Sequence, residues 1–414
     1  MAEKSGMPGG KILQTAAARM PSIECFTMAG DTLVQQFLWR RLACAALLCW
    51  AQVAGAAPVA ELVVGQSLPL TGESASLGRQ LRLGADVLFA HVNATGGIAG
   101  MRIRHVVLDD ADDPQAVVRN TRQLVQGERA GVLMGYPQAQ GVRAVLAQKL
   151  LAPVGVALLG PATGAEDLRQ PGHPQVFHVR AGLASEAGQL AGHLATLGVE
   201  RIAMLYAADD PQGEGALDAL RAVLARKGRV LAGATAIGPL PDGTAQAVQA
   251  LRALKPQAIV LMAPALRAAA FARAWRASGE TAHLLGFSRV DHQQVLALAG
   301  SAVARGMGFT QVVPYPYAGS SPLAREYRAL LAVYGPMDAA PGYAGFEAFI
   351  GAKVLVEALQ RAGGAGGAGS VAAALEQLGM LDLGGFVVRY GKDERQGSHY
   401  VDFTVTGSEG QLLR

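Results

Sequence analysis

Four carboxylates stand in one five-residue turn, Asp109-Asp110-Ala111-Asp112-Asp113. Hard cations take several oxygen ligands, so metal binding is the first chemistry this pattern suggests. The run closes a strand-like stretch and opens Asp113-Pro114, an N-cap followed by proline at the first helical position, so a structural turn explains it more simply. His173 and His178 are five apart in a proline-flanked loop. Zinc would need further His, Cys or acidic ligands close by, and loop histidines are the simpler reading. Gly364, Gly366 and Gly369 match G-x-G-x-x-G. A dinucleotide site requires a strand before that motif and a helix after it. Here a helix precedes it in a glycine/alanine stretch, which reads as a linker. Gly65-Gln66-Ser67-Leu68-Pro69 lacks the second glycine of a nucleophile elbow. No nucleophile is paired with a base. The sequence therefore points away from an enzyme, with no catalytic residue, metal or cofactor expected.

Three other loops could bind without reacting. They are Pro69–Gly78, Gly135–Gly141 and Gly160–Gly164, all small, polar or glycine-rich. Each follows a strand-like run and leads toward a helix start. Free N–H groups at helix starts attract anions, and doubly wound sheets bind ligands at the carboxyl ends of their strands.

The elements that would hold these loops alternate along the chain. Nearly continuous apolar runs predict strands at 61–67, 101–108, 131–134, 154–159, 201–206, 230–237, 258–262 and 283–287. Helical periodicity fills the gaps; Leu77, Leu81, Ala85, Leu88 and Val92 share one face, and Gly96-Gly97 ends it. Repeated βα units imply parallel sheets covered by helices, and the set divides into two similar series near Val179-Arg180. The tail reads as helices over 322–334 and 342–362, a short helix over 371–378, and a β-hairpin joining 386–390 to 399–406.

Hydrophobic content of 51% with 16% charge describes a packed globule. A net charge of +4 without a dense basic run gives no ground for nucleic-acid binding. All three cysteines, Cys25, Cys44 and Cys49, lie in the first fifty residues. Arg40-Arg41, an apolar core and the small residues before Pro58 have the order of a secretory signal peptide. The expected division is an over-extended N-terminus at 1–27, a signal peptide at 28–57 and an exported, periplasmic protein from residue 58. That length suits two domains of roughly 100–200 residues each.

From about Glu61 to Val405 the chain resembles the type I periplasmic solute-binding proteins of the branched-chain amino-acid/amide class, which feed ABC importers. The likeness rests on an ordered set of motifs. They are Leu68–Gly72 after the first strand, Asn93–Gly100 at a helix exit, Asp109–Pro114, Gly160–Thr163 and Gly213-Glu214-Gly215. It implies an α/β fold of two doubly wound parallel-sheet lobes joined by three hinge crossings. Lobe 1 would be 58–180 plus 311–384, and lobe 2 would be 181–310 plus 385–414. The crossings are expected near 179–182, 308–312 and 383–386.

The resemblance also implies a function. The chain would be an extracytoplasmic solute-binding subunit of an ABC importer, monomeric, closing its lobes on a small amino-acid-like, amide or carboxylate solute. Its partners would be that small-molecule ligand and a permease in the inner membrane. The alternative is a periplasmic sensor of the same fold signalling to a membrane receptor. First-lobe ligand contacts map to Ser74, Ser76, Leu77, Tyr136, Gln138, Ala162 and Thr163. In the second lobe Gln212 takes the place of an expected aromatic, and Ser288 that of the acid that would pair a ligand ammonium. A buried ammonium without a carboxylate is costly, so a ligand without one is expected. Arg289 would then grip a second carboxylate of the ligand; the alternative is that Asp291 replaces the missing acid.

Overall fold

The computed structural model describes residues 60–414 other than Ser320 and Ala365. The expected leader and the three cysteines lie outside the described residues.

Two parallel sheets organise the chain. The first holds β1 (Glu61–Leu68), β2 (Arg102–Asp109), β3 (Val132–Met134), β4 (Ala157–Leu159) and β5 (Val176–Phe177), in the order β2-β1-β3-β4-β5. The second holds β6 (Ile202–Ala207), β7 (Gly233–Ile237), β8 (Ala258–Met262), β9 (His283–Gly286) and β10 (Gly308–Gln311). Their order, β7-β6-β8-β9-β10, repeats that of the first sheet. Two antiparallel strands, β13 (Asp402–Thr406) and β14 (Leu412–Leu413), extend it beyond β10. The central strands are apolar throughout because helices cover both faces; β8 is buried at every position. β2 and β7 lie at sheet edges and are only partly buried.

Helices α1 (Ala75–Ala94), α2 (Pro114–Arg122) and α3 (Ala139–Ala147) flank the first sheet. So do α9 (Pro322–Tyr334), α10 (Tyr343–Arg361) and α11 (Ala368–Glu376) from the tail, whose apolar residues join one core with β1, β3 and β4. Helices α4 (Leu183–Thr196), α5 (Pro211–Arg226), α6 (Gly243–Ala253), α7 (Ala265–Ala277) and α8 (His292–Ala299) flank the second, forming one core on each side of it. The element immediately before Gly364 is the helix α10, not a strand, and Gly369 lies within α11.

The tail departs from expectation. Residues 386–390 and 399–406 do not form a hairpin. β12 (Val387–Tyr390) pairs instead with β11 (Gly379–Asp382) as a separate two-stranded sheet, and Val388 and Tyr390 are buried in the first-lobe core. β13 pairs with β10 in the second lobe. The last passage between lobes therefore runs from Tyr390 to Asp402 rather than at 383–386. The second begins after Gln311, because 308–311 is a sheet strand. The first runs from Phe177 to Leu183. First and last passages lie side by side: the His178 N–H donates to the Arg395 carbonyl, and the Tyr390 hydroxyl to the His178 carbonyl.

Candidate functional site

The carboxyl ends of both sheets face one cavity of about 270 Å³. Its walls come from the loops after β1, β2 and β3 on one side and after β6, β8 and β9 on the other. Strand order reverses between β1 and β3 and again between β6 and β8, the places where doubly wound sheets leave a crevice. A smaller chamber of about 40 Å³ continues toward the hinge, lined among others by Leu77, Ala162, Arg180, Ser288 and Glu347. Arg289 borders both spaces.

The acidic turn shapes the first-lobe wall. Asp109 accepts from the Leu70 N–H at 2.8 Å and the Thr71 hydroxyl at 2.7 Å. Asp112 accepts from the Ser74 N–H at 3.0 Å, and Asp113 caps α2 through the Gln115 and Ala116 N–H groups. The run thus ties the β1 loop to the β2 loop. Asp110 is buried beneath it, accepting from Ser67 Oγ at 3.0 Å and lying 3.3 Å from Gln138 Nε2. Burial pushes its carboxyl up to about 6. His178, also buried, meets the Leu168 carbonyl through Nε2, and burial beside the Arg169 charge depresses it to about 3.

Side chains cross the cleft directly. Thr163 Oγ1 donates to Gln212 Oε1 at 2.7 Å, and Gln212 Nε2 donates to the Pro137 carbonyl at 3.3 Å. Gln80 Nε2 donates to Asp291 Oδ2 at 2.8 Å. Arg267 of the second lobe is 6% exposed and binds two carboxylates. One is Asp209 in its own lobe, at 2.6 and 2.8 Å; the other is Glu73 of the first lobe, at 2.8 and 3.2 Å. The guanidinium holds Asp209 below the usual carboxylate range. At the hinge, Arg180 Nη2 donates to Glu186 Oε1 at 2.9 Å and to Ser288 Oγ at 2.6 Å, while Nη1 lies 3.5 Å from Glu347 of α10.

The sequence-expected residues divide between these places. Ser74, Gln138, Gln212 and Arg289 line the larger cavity, and Leu77, Ala162, Ser288 and Arg289 the chamber. Thr163 reaches the site through its bond to Gln212. Ser76 lies half-buried in the first turn of α1 and lines neither space. Tyr136 lines neither space: its ring is packed in the first-lobe core, its hydroxyl lies 3.1 Å from Thr121 Oγ1, and its carbonyl accepts from the Ala162 N–H. Asp291 caps α8 through the Gln293 and Gln294 N–H groups and is bound by Gln80.

The site is richer in acids than the sequence suggested. The Ser288 N–H donates to Glu186 Oε2 at 2.8 Å, so a carboxylate stands behind the serine, though it is 0% exposed and also accepts from Thr310 Oγ1. Asp112, Asp209 and Asp210 face the larger cavity. The expectation of a ligand without an ammonium rested on the lack of such acids, and that ground is removed. Glu73, Arg267, Arg180 and Glu347 were missed; the available signal was a charge standing alone within an apolar helix, as at Glu347 in Gly345-Phe346-Glu347-Ala348-Phe349. Arg289 differs from the other charges here. Its Nη1 is buried without a hydrogen-bond partner among the described residues.

Comparison with known proteins gives a consistent result. The family model described as periplasmic binding protein matches residues 61–411. A substrate-binding periplasmic protein from Ralstonia solanacearum superposes with a TM-score of 0.80 at 34% identity, covering 85% of this chain and 99% of that one. The Leu/Ile/Val-binding protein homolog 3 of Brucella melitensis biotype 1 is 25% identical over 77% of this chain and 84% of its own length. An amino acid binding protein of Pseudomonas aeruginosa is 28% identical over 41% of this chain, and the match spans only 45% of that relative.

Two measurements probe the site. Asp110 titrates near 6 in the folded chain against about 3.9 unfolded, so its proton stabilises the fold fully below about pH 3.9 and that contribution is lost as pH rises through about 6. Asp110→Asn is expected to abolish this loss, of the order of 2 kcal/mol at about 1.4 per unit, in urea midpoints compared at pH 4 and pH 7. Identical pH slopes in both proteins would contradict it. Glu73→Gln removes the cross-lobe half of the Arg267 clasp, worth about 0.2–1 kcal/mol for a partly exposed pair. The free wild-type chain should expand in X-ray scattering as salt screens the pair, and the variant should be expanded already and insensitive to salt.

Proposed function

We propose, because the chain belongs to the family of type I periplasmic binding proteins, that it is the extracytoplasmic solute-binding subunit of an ABC importer. The single observation that carries this reading is the cavity walled by the strand ends of both lobes, with cross-lobe bonds at its rim and floor. A solute lodged there touches both halves, so binding favours the closed arrangement over an open one. Closure then changes the surface presented to a membrane permease. The ligand is a small organic solute whose carboxylate meets Arg289, among the described residues the one charged group bordering both spaces. The names of the Brucella and Pseudomonas relatives, which refer to amino acids, support a ligand of that general kind. The leader-like segment at 28–57 supports export to the periplasm, where such a subunit works.

The reading involves no bond making. Native protein purified from the periplasm and then unfolded should release one small molecule per chain, and the stripped protein should rebind it with its mass unchanged. Recovery of a chemically altered compound after incubation would overturn the reading in favour of an enzyme.

A further inference from the structure

We infer that the cleft selects a polar zwitterion, an α-amino acid with a polar side chain, over the aliphatic amino acids for which its Brucella relative is named. This rests on the solute-binding reading above and adds the ligand's class to it.

The first ground is the lining. Among the described residues, no aromatic and no branched aliphatic side chain lines the 270 Å³ cavity. Its apolar part is alanine and proline, and its chemistry is Glu73, Asp112, Asp209, Asp210, Arg267 and Arg289, with glutamines between them. An isobutyl or isopropyl group gains by leaving water for an apolar wall. Here it would instead strip water from carboxylates and amides and return no hydrogen bond, which is unfavourable. The aromatic expected just before Gly213-Glu214-Gly215 is absent, and Gln212, which stands in its place, is spent on Thr163 and the Pro137 carbonyl.

The second ground is the pairing of charges. Arg267 already holds Glu73 and Asp209, and Arg180 already holds Glu186. Arg289 alone among these three arginines keeps a buried N–H, at Nη1, without a hydrogen-bond acceptor. A buried donor left unsatisfied is costly, and a ligand carboxylate supplies the acceptor. On the other side, Asp112 accepts from the Ser74 N–H and more weakly from Gln138, and among the described residues the Asp210 carboxylate accepts only from the Gln212 N–H. Each carboxylate has lone pairs to spare, so the wall can take donors as well. A solute offering one anionic group and several N–H or O–H donors satisfies both sets. An amino acid with a hydrocarbon side chain offers that wall its ammonium alone, and a polar side chain adds the further donors.

Calorimetry on the stripped chain tests this with two arms, L-leucine, L-isoleucine and L-valine against L-glutamine, L-glutamate and L-arginine. At least one polar amino acid should bind tenfold or more tighter than any aliphatic one. Arg289→Met should weaken that binding tenfold or more, and Asp112→Asn should weaken it less. Circular dichroism of each variant checks that it is folded. Aliphatic binding as tight as polar binding, or a polar ligand indifferent to Arg289→Met in a folded variant, overturns the inference and leaves the solute-binding reading standing. Failure of both arms to bind overturns the inference too; solute binding then stands or falls on the native protein's released molecule.

Discussion

One buried guanidinium ties the two lobes together where the chain first crosses between them. Arg180 is nearly enclosed, and its partners belong to different lobes: Glu186 and Ser288 to the second, Glu347 to the first. A charge in such surroundings must stay paired, because removing one partner strands the other in a medium that solvates it poorly. The Glu186 carboxylate is likewise saturated, by Arg180, by the Ser288 N–H and by Thr310 Oγ1. Burial works against the ionised form of Glu347, and the Arg180 charge works for it. The hinge is therefore fixed by electrostatic necessity as well as by apolar packing. The position of Arg289, one residue beyond Ser288, follows from it.

Around that anchor the two sheets repeat one plan. Each begins its order at an interior strand, reverses after its second strand, and leaves a crevice at the strand ends. Because the crevices face each other, the loops that line the cavity are short and carry caps. Asp113, Asp210 and Asp291 each accept N–H bonds at a helix start, and each sits at or beside the cavity or chamber. The acids that terminate helices thus also set the polarity of the cleft. At its rim, Glu73 and Arg267 add a bond that joins the lobes without any solute, so on the proposed reading closure is a balance between direct contacts and those a guest contributes.

Much of this was legible in the residues. Strands buried on both faces announce themselves as apolar runs, and the segment 258–262 was bounded as the structure has it. Asp113-Pro114 gave the start of α2 from capping chemistry alone. What escaped reading was mostly a matter of partner choice. The segments 386–390 and 399–406 both look like strands, but nothing local says that the first will seek Gly379–Asp382 while the second seeks β10. Tyr136 stands in a loop at a sheet's carboxyl end, yet its ring turns into the core because space beneath α2 and α3 must be filled. Salt bridges between residues far apart in the chain, such as Glu73 with Arg267, leave no periodic trace.

The central claim is that two halves of one chain close on a polar solute held between their sheet ends. Because residues 60–414 contain no cysteine, paired spin labels can be set on exposed positions across the cleft, at Gln115→Cys on α2 and Ala225→Cys on α5. Pulsed electron spin resonance should show a distance distribution that shortens and narrows when the native solute is added. An unchanged distribution with the solute demonstrably bound would contradict the account.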